Sequence, residues 1–180
     1  MVEMPEQDIA NASLALTLLA LVALAARQDL KERRIANLLT LTGFVTAVFL
    51  HSLSGGAPGF FLALAGAGVG LACFLPLYLC KGMGAGDVKL MSSAGAFLGP
   101  VGAFAAAMLS LVCGAVLAVA YLLWRGRELR TAATAGGPQI IGGDSMPAQI
   151  RKERFPYAVA IAAGVIVTMW ARDMLEVLVP

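Results

Sequence analysis

The 180-residue sequence is poor in charged residues, in histidine and in cysteine. Charged residues make up 13% of the chain, whereas a soluble domain has about a quarter. Hydrophobic residues make up 59%, and the mean hydropathy is +0.83. This apolar excess is too large for the core of a soluble domain, so we expect an integral membrane protein. A net charge of only +2 gives no indication of nucleic-acid binding.

The few residues that commonly bind metals are scattered. His51 is the only histidine, and the cysteines Cys73, Cys80 and Cys113 lie in apolar runs without a CxxC pair. A structural zinc site needs several such ligands close together. We therefore expect neither a metal nor a cofactor, and we interpret the cysteines as small apolar helix residues.

Six apolar runs are candidates for membrane-spanning helices, because about 20 residues at a rise of about 1.5 Å cover a hydrocarbon core of roughly 30 Å. The runs cover residues 9–26, 35–53, 58–80, 88–98, 101–124 and 155–170. The fourth is short and rich in glycine and alanine, so we expect it to lean on its neighbours. In the third, Gly66 and Gly70 stand four residues apart, which permits close helix contact. We expect packing between helices of this chain rather than a substrate groove or a dimer face.

The basic residues predict how the chain is oriented. The loops after the first, third and fifth runs hold twelve of the thirteen Lys and Arg residues, and the segment before the first run has only acids. By the positive-inside tendency, loops one, three and five are cytoplasmic and both termini lie outside. We expect an all-α fold with about six spans and one domain over residues 1–180. Residues 125–154 are expected to form a partly flexible cytoplasmic loop.

Two acidic residues lie where an apolar run meets a basic loop: Asp29 in ARQDLKERRIANLL and Asp87 in GMGAGDVKL. The predicted topology places both at the cytoplasmic face. Two carboxylates brought close share one proton, because they cannot both ionise easily. One can then take a proton from water while the other protonates a carbonyl oxygen, as in the aspartic proteases. Gly84 and Gly86 would let an extended peptide approach Asp87.

Each acid also has a structural interpretation. Asp29 could pair with Arg33 at i+4 on a continuing helix, and Asp87 could be the N-cap of the fourth helix beside a snorkelling Lys89. Acids at span ends also occur in ion- or proton-coupled transporters, and in a non-catalytic assembly scaffold they would be interface charges. Against transport, neither acid lies in the middle of a run and the sequence shows no inverted repeat.

Three segments together resemble the type IV prepilin peptidases, which are membrane aspartic proteases with a GxGD signature. GMGAGDVKLM resembles that signature, DLKERRIANLL resembles the first aspartate motif, and RFPYAVAIAAG resembles the opening of the last helix. The three segments occur in the family's order between residues 29 and 164. Ala36 stands where the family usually has proline, which favours a helical continuation at this turn.

The resemblance implies an endopeptidase of the bacterial inner membrane. Such enzymes remove the basic leader from prepilins or pseudopilins at the cytoplasmic face, usually after a glycine and before a hydrophobic helix, and they use no cofactor. The resemblance implies Asp29 and Asp87 as the catalytic pair and Gly84 and Gly86 as the motif glycines. It also suggests roles near the substrate for three motif residues: Lys89, Arg33 and Asn37.

The resemblance also bears on a second activity. Long members of the family carry an N-terminal region with two CxxC pairs that is linked to N-methylation of the new pilin end. This sequence has no such region, so we expect no methyltransferase activity. It most resembles the short forms found with tight-adherence (Flp-type) pili, the TadV or CpaA group.

Overall fold

The computed structural model describes residues 6–32, 36–134 and 157–178, and these residues form helices and connecting turns without a strand. The helices are α1 (Glu6–Glu32), α2 (Asn37–Leu79), α3 (Ala85–Thr134) and α4 (Tyr157–Leu178). The prediction of an all-α fold is confirmed. Three helices are long and apolar enough to cross a membrane, over Ala12–Glu32, Asn37–Leu79 and Ala85–Ala120, and a shorter apolar helix covers Tyr157–Ala171.

Helix α2 changes direction at Gly56. This residue has φ 57° and ψ −140°, which is a conformation open mainly to glycine. A Cβ placed on Gly59 would collide with the carbonyl oxygen of His51. In a straight helix those two residues would be about 12 Å apart. α2 therefore consists of two segments, residues 37–55 and 57–79, that fold back on each other.

Helix α3 folds back in the same way at Gly99, where φ is 70° and ψ is 176°. Pro100 follows directly, and the residue before a proline avoids helical backbone. A Cβ on Gly95 would lie 3.1 Å from the Cβ of Ala103, although the two residues are eight apart. His51 Nε2 lies 3.1 Å from the carbonyl oxygen of Phe97, at the end of the first α3 segment, where helix carbonyls lose their partners.

Glycines allow α2 and α3 to pack backbone to backbone. A Cβ on Gly66 would collide with the carbonyl oxygen of Gly95, and one on Gly70 would lie 2.5 Å from the carbonyl oxygen of Met91. Helices approach this closely only where small residues face each other. The prediction that Gly66 and Gly70 serve packing within the chain is confirmed.

The first segment of α3, residues 85–98, lies at the centre of the bundle. Leu90, Met91, Ala94 and Ala96 expose none of their surface. The first segment of α2 also packs on it, because a Cβ on Gly43 would lie 2.7 Å from Ser93 Oγ. The expectation that the short fourth run leans on its neighbours is therefore confirmed.

Large apolar side chains face outward along the helices, among them Leu24, Leu41, Phe61, Val101 and Val112. Soluble monomers rarely expose continuous apolar surface of this kind, whereas lipid tails would cover it. The structure thus supports a helical membrane protein. The count of six crossings and the orientation of the termini stay predictions.

Two helix ends lie beyond their predicted positions. α1 continues past residue 26 to Glu32, so Asp29 lies on the helix itself. α3 continues to Thr134, so residues 125–134 of the predicted loop are helical, and residues 135–156 lie outside the described part of the chain. Both extensions are rich in Arg, Lys, Glu, Leu and Ala, which are good helix formers. Charged side chains end the apolar run without ending the helix.

Candidate active site

Asp29 lies near the end of α1 and is 8% exposed. Its Oδ2 accepts a hydrogen bond from the backbone N–H of Ala158 at 3.3 Å. Ala158 is the second residue of α4, and the first N–H groups of a helix have no partner within the helix. The positive end of the α4 dipole therefore faces this carboxylate.

Asp87 lies in the first turn of α3 and is also 8% exposed. Its Oδ2 accepts a hydrogen bond from the backbone N–H of Gly84 at 3.2 Å, and its own N–H donates to the Gly84 carbonyl oxygen at 3.2 Å. Gly84 is thus the N-cap residue and Asp87 the third residue of the helix, which is half of a capping box. The interpretation of Asp87 as the N-cap itself is wrong by three residues.

The two motif glycines lie beside this carboxylate, and both are half-buried. A Cβ on Gly84 would lie 3.1 Å from Asp87 Oδ2, which is tighter than an ordinary contact. Gly86 lies between the two in the first turn of α3. Gly84 therefore allows the carboxylate to fold back onto the N-cap N–H.

Lys89 and Asn37 are in contact with each other. Lys89 Nζ donates a hydrogen bond to Asn37 Oδ1 at 3.0 Å, and both side chains are exposed. Asn37 is the first residue of α2, whereas Lys89 lies in the opening turns of α3. The pair therefore ties the start of α2 to the start of α3 beside Asp87.

The connection between α1 and α2 turns at Ala36, which has φ −65° and ψ 129°. This conformation is extended, so the expected helical continuation is wrong. The N–H of Ala36 donates to Gln28 Oε1 at 3.1 Å. A proline imposes nearly the same φ but has no N–H to donate. Alanine thus keeps the turn that proline would give and adds a hydrogen bond to α1.

These contacts bring four helix ends together at one end of the bundle. Asp29 joins α1 to α4, Gln28 joins α1 to the start of α2, and Lys89 joins α3 to the start of α2. Both aspartates therefore lie at this end, each with one carboxylate oxygen held by a backbone N–H. Arg33 lies outside the described residues, so its pairing with Asp29 stays a prediction.

Sequence reasoning missed two contributors to this arrangement, Gln28 and Ala158. Ala158 acts through its backbone, so its side chain gives no signal. Its neighbourhood is the RFPYAVAIAAG segment, whose resemblance to the family assigns no role to a single residue. Gln28 lies next to Asp29 in the first aspartate motif, and only the fold shows that it reaches Ala36. Within the described residues, no three His, Cys, Asp or Glu side chains form a group that could hold a metal ion.

Comparison with known proteins places the chain in a family. The model of the type IV leader peptidase family matches residues 16–119, more than half of the chain. The matched range contains Asp29, Gly84, Gly86 and Asp87, and α4 lies beyond it. No curated protein and no solved structure gives a significant match. With the two aspartate motifs inside the matched range, the chain belongs to the type IV leader peptidase family.

Proposed function

We propose that this chain is a membrane aspartic endopeptidase in which Asp29 and Asp87 form the acid/base pair that activates water. The observation that supports this most strongly is that two acids distant in sequence have similar burial, location and hydrogen bonding. Both are buried to 8% exposure in a chain with few charges, both lie at the same end of the bundle, and each has one oxygen held by a backbone N–H. Burying a carboxylate costs free energy, so the presence of two buried carboxylates at one end of the bundle favours a chemical role.

The reaction needs one carboxylate and one carboxylic acid. The carboxylate takes a proton from water as the water oxygen bonds to the scissile carbonyl carbon, while the acid donates its proton to the carbonyl oxygen. The tetrahedral intermediate then collapses: the C–N bond breaks, the leaving nitrogen receives a proton from the first aspartate, and the second recovers its own. The backbone donors hold one oxygen of each aspartate in place during this exchange.

We further propose that the substrates are prepilins or pseudopilins, cleaved at the cytoplasmic face of the inner membrane. Membership of the family supports prepilin-type substrates. The apolar outer surface of the helices lets a substrate's hydrophobic helix stay in the bilayer, and the basic loops favour a cytoplasmic position for the end that carries the aspartates. The basic leader would then lie outside the bilayer at that end.

The other motif residues have supporting roles in this proposal. Gly84 holds Asp87 in its turn and leaves room beside it. Because Lys89 donates to Asn37, we assign both to positioning Asp87 relative to α2. Arg33 and Gly86 are proposed on the motif resemblance alone.

A processing assay with purified protein tests the proposal. The protein in nanodiscs is mixed with a prepilin, and leader removal is followed by mass spectrometry for wild type, Asp29→Asn and Asp87→Asn. Because Asn has nearly the size of Asp and keeps an acceptor oxygen, the fold should persist while leader removal is abolished. Asp173→Asn, in the second half of α4, is the matched control and should process normally.

Two results would contradict the proposal. Wild-type rates in either active-site variant would show that this carboxylate is not needed for the chemistry. Loss of wild-type activity on treatment with a chelator, restored by added metal, would show that the acid/base pair is not the whole mechanism.

A further inference from the structure

A cavity of about 490 Å³ lies between the end of α1 and the start of α2. Its volume is in the range typical of small-ligand sites, about 300–1,000 Å³. Neither Asp29 nor Asp87 lines it, although it shares Gln28 and Ala36 with the contacts that bring the helix ends together. Its walls are Leu24, Arg27, Gln28, Lys31, Glu32, Ala36, Leu38, Leu39 and Thr42.

Two basic side chains on α1 share this cavity. Arg27 and Lys31 are exposed and lie one helical turn apart, which places them on the same face of the helix. Like charges at this spacing repel each other. Glu32 also lines the cavity but follows Lys31 directly, and adjacent helix positions do not face each other. The cavity therefore keeps a net positive charge, and an anion between Arg27 and Lys31 would relieve their repulsion.

The remaining walls are largely apolar and open toward the outer surface. Leu24 is 52% exposed and Leu38 is 70% exposed, and both belong to helices suited to a membrane. A free inorganic anion would make no favourable contact with these leucines. A basic leader peptide would be repelled by the two cations. A molecule with an anionic head and apolar chains matches both parts of the cavity.

We propose that this cavity binds an anionic phospholipid, with its phosphate between Arg27 and Lys31 and its acyl chains along Leu24 and Leu38. Basic pockets between membrane helices bind anionic headgroups in this manner. The site lies at the end of the bundle that carries both aspartates, so the bound lipid would belong to the same leaflet. This inference does not depend on the proposed peptidase mechanism.

Native mass spectrometry of the full chain tests the proposal. The protein is reconstituted in nanodiscs of phosphatidylcholine and phosphatidylglycerol in equal amounts, and the lipid that remains bound after release is identified. Wild type should retain one phosphatidylglycerol in preference to phosphatidylcholine. The double variant Arg27→Gln/Lys31→Gln should lower that preference by roughly 30-fold, because each basic contact with an anionic lipid changes binding by about fivefold. Glu32→Gln should raise the preference for phosphatidylglycerol.

Lys81→Gln is the matched control, since Lys81 is an exposed cation in the turn between α2 and α3 that does not line the cavity. It should leave the preference unchanged. Equal retention of the two lipids by wild type, or an unchanged preference in the double variant, would overturn the proposal. So would displacement of the lipid by inorganic phosphate alone, because the apolar walls would then contribute nothing.

A second measurement covers the case in which the double variant does not fold. Wild type is photo-crosslinked to phosphatidylglycerol that carries a diazirine in its acyl chain, and the labelled peptides are sequenced. Labelling should concentrate on residues 24–32 and 36–42. Uniform labelling of all helices would show annular lipid only and would reject the site.

Discussion

Asp29 and Asp87 are equally buried and each accepts a backbone N–H, but their donors come from different parts of the chain. The donor to Asp87 is three residues away, at the start of the same helix, whereas the donor to Asp29 is 129 residues away, in α4. The local backbone of the GxGD segment therefore fixes Asp87, and the docking of α4 fixes Asp29. The two aspartates should thus respond to different perturbations.

The largest effect is expected from disturbing the docking of α4. A Cβ on Gly164 would lie 2.6 Å from the backbone nitrogen of Ser110 in α3, so Gly164→Ala must push α4 away. We expect a loss of about 1–3 kcal/mol in the free energy of unfolding. A shift of α4 would also move the donor to Asp29, so kcat/KM should fall by at least about tenfold.

Denaturant unfolding in detergent and the processing assay measure the two effects of Gly164→Ala. Gly68→Ala is the control, because a Cβ at that position meets nothing within 4 Å. It should keep the wild-type rate of leader removal and should lose no stability, since alanine favours helix over glycine. If Gly164→Ala lost stability but kept the wild-type rate of leader removal, the docking of α4 would not position Asp29.

The second prediction concerns Asp87, which the local backbone of the GxGD segment holds. Gly84→Ala brings a methyl group to about 3.1 Å from Asp87 Oδ2, so the carboxylate must shift by a few tenths of an ångström. We expect kcat/KM to fall severalfold, with a stability loss of only about 0.5 kcal/mol, since alanine is a poorer N-cap than glycine. Both the loss of activity and the loss of stability should therefore be smaller than those expected for Gly164→Ala.

Gly82→Ala serves as the neighbouring control for Gly84→Ala. A Cβ there would lie 3.4 Å from the carbonyl oxygen of Leu77, an ordinary contact. Its rate of leader removal should equal that of wild type. An equal loss in the two variants would mean that any substitution in this turn is harmful and that the contact with Asp87 is not specific.

The same contrast explains what the sequence could predict of the site. A glycine three residues before an aspartate at a helix start is a local pattern, so its geometry follows from nearby residues. The sequence interpretation found this helix start but placed its N-cap three residues too late, at Asp87. The bond from Ala158 to Asp29 is different, because any residue other than proline supplies a backbone N–H. Its position depends on how α3 and α4 pack, and a single sequence carries no signal for that contact.

The same distinction between local and tertiary causes applies to the fold. The reversals at Gly56 and Gly99 fall in the glycine–proline segments that separate the predicted runs, since the cause is local. The ends of α1 and α3 were predicted too early, because charge marks where an apolar run stops and not where a helix stops. The turn at Ala36 was wrongly expected to be helical, since alanine favours helix and the contact with Gln28 is tertiary.

A third prediction tests whether Lys89 acts through its contact with Asn37. The bond between them is exposed, so a double-mutant cycle of Lys89→Ala and Asn37→Ala should give a coupling of about 0.5 kcal/mol in unfolding free energy. The two single variants should lower kcat/KM to a similar extent, because each releases the same link between α2 and α3. A much larger loss for Lys89→Ala would mean that its charge acts on Asp87 or on the substrate directly.

The smallest effect is expected at Ala36. Its φ of −65° suits proline, so Ala36→Pro should stabilise the protein by about 0.4–1 kcal/mol through the unfolded chain. The same change removes the N–H that donates to Gln28, which costs about 0.5–1.5 kcal/mol. The two terms nearly cancel, so thermal unfolding should show a change within about 1 kcal/mol. Because Gln28 precedes Asp29, a large fall in leader removal without a change in stability would show that this hydrogen bond, as well as the docking of α4, positions Asp29.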